Sequence, residues 1–204
     1  MIRTPATRVA LIVVVGLATG VLTQVGQGAL PGEWSQLANA VTPWLLVAFL
    51  LGSVMPDARW AAAAGVAALL LALIGYYGMV QLRYGYGGGT GSWIFWGLGA
   101  VIGGPVFGIA GHWWRGPVHR RRAIAIGLLA AVAIAEGAYN VLVVDHATVG
   151  TAFIVFGLLV PLVFGRSRND RLGGYVALVP ALVLGLLGFI ALPFVVMLVA
   201  GFGP

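Results

Sequence analysis

The chain has 204 residues, of which 61% are hydrophobic and only 8% are charged. Soluble domains carry about 25% charged residues, so this composition excludes a water-facing surface over most of the chain. The absence of Cys excludes thiol nucleophiles, Cys-based zinc sites, iron–sulfur clusters and disulfides. All eleven basic residues are Arg, and the absence of Lys excludes a P-loop and Schiff-base chemistry.

Seven apolar runs follow one another along the chain, each bounded by charged residues, Pro or Gly. A membrane-spanning helix needs about 20 mostly apolar residues, so seven spans with short loops use nearly the whole chain. The predicted spans are residues 9–27, 37–55, 60–82, 93–111, 123–144, 148–165 and 172–200. We therefore predict an all-α, polytopic transmembrane helix bundle that forms a single domain, residues 1–204.

The first and last runs each allow two interpretations. Arg3 and Arg8 followed by an apolar stretch also resemble a signal peptide, whose cleavage would leave six spans. No clear Ala-x-Ala site follows and the stretch is long, so we favour a retained helix. The last run contains Pro180 and Pro193, which fits either one kinked helix or a helix followed by an interfacial segment.

The Arg residues are distributed unevenly between alternate loops. With a cytoplasmic N-terminus, ten of the eleven lie inside and only Arg83 lies outside, as the positive-inside rule predicts. We therefore expect the N-terminus inside and the C-terminus outside, in the inner (cell) membrane of a bacterium. Contact with the bilayer and its anionic inner-leaflet lipids accounts for the net charge of +6, so a nucleic-acid partner is not expected.

Polar side chains within the runs gather in the predicted outer half of the membrane. They are Thr19, Thr23, Gln24, Gln27, Asn39, Thr42, Tyr76, Tyr77, Gln81, Ser92, Glu136, Tyr139, Asn140, Thr148 and Thr151. Polar groups cost free energy in hydrocarbon, so we expect them to face one another or a water-filled cavity. This asymmetry predicts an outward-facing polar pocket. The alternative for the Thr and Gln residues is that they only join helices.

Glu136 is the single acid inside an apolar run. An ionised carboxylate there needs a partner, and Arg83 is the only basic residue on the same side. The alternative is a protonated Glu136 that bonds to Tyr139, Asn140 or a neighbouring helix for packing alone. Both interpretations stay open: ligand or proton handling, and structural bonding.

The fourth run contains two small-xxx-small pairs, Gly99 with Gly103 and Gly104 with Gly108. Such pairs indicate close approach of neighbouring helices. A helix break at Gly104-Pro105, as in transporter helices around substrate sites, is the alternative.

Two connections carry recognisable chemistry. Residues 84–93 form a Gly-rich outer connection with aromatic anchors, for which a mobile lid is the alternative. The inner connection after the fourth run is rich in Arg and follows a Trp pair, which predicts contact with the inner leaflet or with a cytoplasmic protein partner. Its basic residues are Arg115, Arg120, Arg121 and Arg122.

Three segments carry a family resemblance: residues 39–49 (NAVTPWLLVAF), residues 75–77 (GYY), and residues 103–108 (GGPVFG) with the following 111–115 (GHWWR). On these, the chain resembles a family of small multi-pass membrane proteins from actinobacteria that has no established function. The resemblance covers roughly residues 10–165. It implies no activity, because the family offers none.

These observations predict an integral membrane protein that binds or transports a small solute through an outward-facing pocket. The residues expected to line the pocket are Glu136, Tyr139, Asn140, Tyr77, Tyr76, Arg83, Gln24 and Thr23. The alternative is a structural or assembly subunit of a membrane complex with no ligand of its own. No zinc-protease motif, serine elbow or intramembrane Asp pair is present, so an intramembrane enzyme is the third hypothesis, and no metal or cofactor is expected.

Overall fold

The computed structural model of the chain describes residues 4–38 and 40–200, without the side chains of residues 192, 196, 199 and 200. Arg3 and Asn39, which the sequence analysis assigned to the inner loops and to the polar layer, lie outside the described residues. The described residues contain helices and no strand. The α-helices are α1 Pro5–Ala29, α2 Ser35–Ala38, α3 Val41–Ser53, α4 Ala58–Tyr84, α5 Thr90–Arg115, α6 His119–Tyr139, α7 Ala147–Phe164 and α8 Arg168–Ala200.

Seven helical segments of the described residues are long and apolar enough to cross a membrane, which confirms the all-α class and the number of spans. Six of them are long helices: α1, α4, α5, α6 with a π-helical turn at Asn140–Val144, α7 and α8. The other, Gly32–Ser53, is broken into a short 3₁₀ turn, α2 and α3. Because α3 has 13 residues, it extends about 20 Å, which is shorter than a hydrocarbon layer about 30 Å thick.

The connections between helices meet at two opposite ends of the bundle. At one end the His112 ring bonds to the Met55 carbonyl oxygen at 3.3 Å, and the Trp114 indole donates to the Phe164 carbonyl oxygen at 2.9 Å. The Arg-rich connections therefore lie together, and we call this the basic end. At the far end the Glu33 carboxylate accepts a hydrogen bond from the Thr148 backbone N–H at 2.9 Å.

One half of the bundle is formed by α1, α3, α4 and α5, whose backbones approach closely at glycines. A Cβ on Gly104 of α5 would lie 2.6 Å from the Val66 backbone nitrogen of α4, so only glycine fits there. Helix α5 runs without interruption through Pro105, so the alternative of a break at Gly104-Pro105 is wrong. The helix continues through the proline where the neighbouring backbones pack closely.

The other half consists of α6 packed between α7 and α8. Helix α6 is rich in buried alanine, and small residues on both sides allow close contact: Gly137 meets the Gly150 backbone, and Gly127 meets Ala177. Helix α8 is one helix over Arg168–Ala200 that includes both Pro180 and Pro193. Of the two interpretations of the last run, the structure has the single helix.

Candidate functional site

A cavity of about 830 Å³ opens at the far end, between α1, α3, α4 and α5. Most of its wall comes from α4 and α5, where lining residues recur every three or four positions, as one face of a helix requires. The residues around it are Gln24, Ala40, Val41, Trp44, Leu45, Leu69, Leu73, Tyr76, Tyr77, Val80, Tyr84, Tyr86, Gly88, Gly89, Ser92, Trp96, Gly99, Ala100, Ile102, Gly103 and Gly188. The wall is mainly apolar and aromatic, whereas the sequence analysis expected a polar pocket.

An aromatic series forms one side of the cavity. The ring centroids of Trp44 and Tyr76 are 6.3 Å apart, and those of Tyr76 and Tyr77 are 5.2 Å apart, both edge to face. Tyr77 in turn packs on Trp93 with centroids at 4.5 Å. Edge-to-face and offset pairs of this kind are favourable beyond the area they bury, so the series is a stiff wall.

The Gly-rich connection after α4 lies on the rim of the cavity. Helix α4 ends at Gly85, whose φ of 77° is in the left-handed region that favours glycine. Gly88, with φ of 83°, packs against the Tyr77 ring so closely that a Cβ would overlap it. The Trp93 indole donates to the Gly87 carbonyl oxygen at 2.8 Å. These contacts hold the connection against the aromatic wall.

Three of the predicted site residues meet at the rim near α1. The Thr23 hydroxyl accepts a hydrogen bond from the Trp44 indole at 3.1 Å and so orients that ring. Gln24 faces the cavity, and its side-chain oxygen accepts a hydrogen bond from the Arg83 guanidinium at 3.1 Å. Arg83 is therefore bonded across to α1, within reach of the rim, although it is not part of the wall.

Glu136 lies behind the wall. Its carboxylate, 5% exposed, accepts hydrogen bonds from the backbone N–H groups of Val41 at 2.6 Å and Thr42 at 2.7 Å. These are the first N–H groups of α3, whose N-cap residue Ala40 makes no side-chain cap. A carboxylate satisfies the free N–H groups of a helix start and interacts favourably with the positive end of the helix dipole.

The other residues predicted beside Glu136 do not contact its carboxylate and bond or pack against other groups. The Asn140 side chain donates to the Glu136 backbone carbonyl oxygen at 2.9 Å, within its own helix turn. The Tyr139 ring packs on Phe189 of α8 with centroids 5.7 Å apart. Arg83 bonds to Gln24 rather than to Glu136. Of the eight predicted residues, the structure brings Tyr76, Tyr77 and Gln24 to the cavity, with Thr23 and Arg83 directly adjacent.

The predicted basic cluster at the other end divides into two kinds of residue. Arg122 forms an ion pair with Asp170 of α8 at 3.2 Å, and Asp170 is fully buried. The guanidinium of Arg121 lies over the Trp113 ring at 5.7 Å. Arg115 and Arg120 are exposed at the helix ends and are free to contact a membrane surface or a partner.

Sequence reasoning missed most of the apolar wall, notably Trp44, Leu69, Leu73, Trp96 and Gly99. A signal was present: Ser92, Trp96, Gly99 and Gly103 follow the spacing i, i+4, i+7 and i+11 on one face of α5. Apolar residues at helical spacing are ordinary in a membrane protein, so this signal does not distinguish a cavity wall from a helix contact. Among the described residues, no group of three or more His, Asp or Glu could hold a metal ion.

The sequence matches a family of unknown function (DUF6518) over residues 1–193, and the chain belongs to this family. The match is longer than the residues that carried the resemblance in the sequence, and it brings no activity with it. No curated protein and no solved structure matches the chain.

Proposed function

We propose that this member of a family without assigned activity is an integral membrane protein that binds a small, largely apolar molecule in the aromatic cavity. The observation that carries the proposal is the cavity itself, about 830 Å³ with an aromatic wall and few polar groups. Ligand pockets have volumes of about 300–1,000 Å³ and are mostly apolar, with a few polar groups that orient the ligand. Gln24 and Ser92 supply such groups here.

The cavity is unlike an accidental packing gap. Protein interiors are close-packed, and an empty apolar space loses the contacts that would fill it. Here the space is maintained by two features of the sequence: Gly99 and Gly103 leave the α5 face bare, and Gly88 allows the rim to close against Tyr77. A larger residue would fit at Gly99, because a Cβ there would meet nothing within 4 Å.

The direction of the cavity is part of the proposal. The positive-inside rule orients the basic end towards the cytoplasm, because Arg83 is the only Arg among the described residues that lies at the far end. The cavity then faces the outside of the cell. The bonding of Glu136 to the start of α3 supports its structural role, so we assign it to shaping the cavity wall and not to contact with the ligand.

Two serines test access to the cavity, because the chain has no Cys and each variant has a single thiol. Ser92 lies on the cavity wall, whereas Ser53 is buried in α3 near the basic end and donates to the Leu50 carbonyl oxygen. We expect Ser92→Cys to react with a membrane-impermeant thiol reagent added to intact cells, and Ser53→Cys to stay unreactive. An unreactive Ser92→Cys beside a reactive Thr90→Cys would contradict an outward-facing cavity.

Binding is tested with 1-aminoanthracene, an apolar fluorescent probe whose emission rises in apolar surroundings. The purified protein should give a saturable signal that is lost in Gly99→Phe, because the ring fills the cavity. Gly97→Phe is the matched control, since Gly97 is on the same helix, has open space at its Cβ and does not line the cavity. Equal signals from the two variants would overturn the proposal.

A further inference from the structure

The cavity is long and extends along the helix axes. On α4 its wall runs from Leu69 to Tyr84, and on the other side it runs from Gly89, the N-cap residue of α5, to Gly103. At 1.5 Å per residue each of these stretches is about 20 Å long. The cavity therefore reaches from the loops of the far end to about the middle of the spans. A compact hydrophilic solute does not need such a depth.

Polarity changes along this length. The outer part contains the hydrogen-bonding groups: Gln24, Tyr84, Tyr86, Ser92 and the backbone of Gly88 and Gly89, with Arg83 bonded to Gln24 beside them. The lining residues of the deep part are apolar, among them Leu45, Leu69, Leu73, Ala100 and Gly103. A ligand that matches both parts has a hydrogen-bonding head and an extended apolar body.

The wall of the cavity includes residues of both α5 and α8 at the level of the spans. Trp96 and Ile102 of α5 line it, and 37% and 69% of their surfaces are exposed. Gly188 of α8 forms the facing edge, and a Cβ on it would meet nothing within 4 Å. An opening between α5 and α8 at this level meets lipid, because both helices are apolar enough to cross the membrane.

We propose that the ligand is a membrane amphiphile that enters between α5 and α8, extends its acyl chain down the cavity and leaves its head among Gln24, Ser92 and Arg83. This inference rests on the proposed binding function and specifies its ligand class. Binding is favourable because the acyl chain of the ligand is buried against leucine and aromatic side chains, while its polar head stays at the rim.

Photolabelling within a bilayer tests the proposal. The protein is reconstituted in phosphatidylcholine vesicles that contain a phosphatidylcholine with a diazirine in the middle of one acyl chain, and it is irradiated and analysed by peptide mass spectrometry. Leu69 and Leu73 line the cavity and are 4% and 3% exposed, so surrounding lipid cannot reach them from outside. Ile74, on the same helix and 52% exposed, reports ordinary lipid contact.

In the natural chain we expect adducts at Leu69 and Leu73 as well as at Ile74. In Gly99→Phe the yield of adducts at Leu69 and Leu73 should fall at least fivefold, and the yield at Ile74 should stay unchanged. Gly97→Phe should behave like the natural chain, and equal elution of all proteins on gel filtration checks their folding. Adducts confined to Ile74 while 1-aminoanthracene still binds would overturn the amphiphile and leave the binding function standing. Loss of both signals in the natural chain would overturn both proposals.

Discussion

The two halves of α5 both contain glycines on the side facing α3, and the glycines have opposite effects in the two halves. Towards the basic end, Gly108 and Gly111 press against the backbones of Gly52 and Phe49 of α3. Nearer the far end, Gly103 meets only the Leu45 side chain, at 3.1 Å from a Cβ, and Gly99 meets nothing within 4 Å. The contact with α3 thus weakens step by step along α5. Small residues close the bundle towards the basic end, which we call the sealed half, and leave a cavity towards the far end, which we call the open half.

The sealed half and the open half also differ in their polar bonding. At the basic end, charged and aromatic side chains bond across helices, with the Arg122–Asp170 ion pair and the Trp114 indole as examples. At the far end, the start of α3 is held by hydrogen bonds from its backbone N–H groups to Glu136 of α6. The comparison predicts that substitutions in the sealed half affect folding most, and that those in the open half affect binding.

The largest loss of stability is expected from Gly111→Ala, because a Cβ there would overlap the Phe49 carbonyl oxygen. Backbone cannot move aside as a side chain can, so the cost should exceed the 1–3 kcal/mol of ordinary overpacking, about 3 kcal/mol or more. The measurement is the temperature at which the purified protein loses its gel-filtration peak. Gly99→Ala, which meets open space, is the control. Equal melting of the two variants would contradict the division of α5 into two halves.

Asp170→Asn removes a negative charge from the sealed half and should cause the next largest loss of stability. Asp170 is fully buried and accepts from the Arg122 guanidinium, so its neutralisation leaves a largely buried cation with a poor partner. Removal of one partner of a buried pair typically costs about 3–5 kcal/mol, and we expect the lower end because Arg122 also donates to two backbone carbonyl oxygens.

Asp57→Asn is the matched control for this experiment. Asp57 is exposed and caps α4 by accepting from the Arg59 and Trp60 backbone N–H groups, a role that Asn also performs well. The free energy of unfolding of the Asp57→Asn variant should differ from that of the natural chain by only about 0.5 kcal/mol. If Asp170→Asn is as stable as Asp57→Asn in the same gel-filtration assay, the ion pair does not contribute to closing the basic end.

Much of the fold could be predicted because its signals are local. The apolar runs have the length of a span, and Asp57 and Gly85 mark the start and end of α4 as cap residues do. The break in the second span could not be predicted, since the acceptor for the first N–H groups of α3 is Glu136, 95 residues from Val41 in the chain. The break at Gly104-Pro105 that local sequence allowed as an alternative does not occur, because α5 continues through Pro105.

The candidate site was only partly predictable for a related reason. The polar stripes pointed to the far end of the bundle, where the cavity lies, and Tyr76, Tyr77 and Gln24 line this cavity. Helical spacing alone cannot tell which neighbour a face meets, so Tyr139 was grouped with Glu136 although its ring lies on Phe189. It also cannot tell a glycine that contacts a backbone from one that faces empty space, which is the difference between Gly111 and Gly99.

The smallest expected loss of stability distinguishes two glutamates that each accept hydrogen bonds from the start of a helix. Glu136 bonds to the start of α3, and Glu33 bonds to the start of α7 by accepting from the Thr148 and Val149 backbone N–H groups at 2.9 and 3.3 Å. A Gln side chain keeps one acceptor oxygen but turns an NH₂ group towards the second backbone N–H. In Glu136→Gln that N–H is left buried without a partner, which costs about 1–3 kcal/mol.

In Glu33→Gln the remaining side-chain oxygen can still accept from both N–H groups, because a single oxygen of Glu33 already does so, and the loss should stay below about 1 kcal/mol. The two variants therefore compare a buried cap that uses both carboxylate oxygens with a partly exposed cap that uses one. Val41 is bonded to Glu136 and also lines the cavity, so Glu136→Gln should weaken 1-aminoanthracene binding severalfold, whereas Glu33→Gln should leave it unchanged. If Glu136→Gln lowers stability and leaves binding intact, the start of α3 supports the bundle without shaping the cavity. The open half would then owe its form to the glycines of α5.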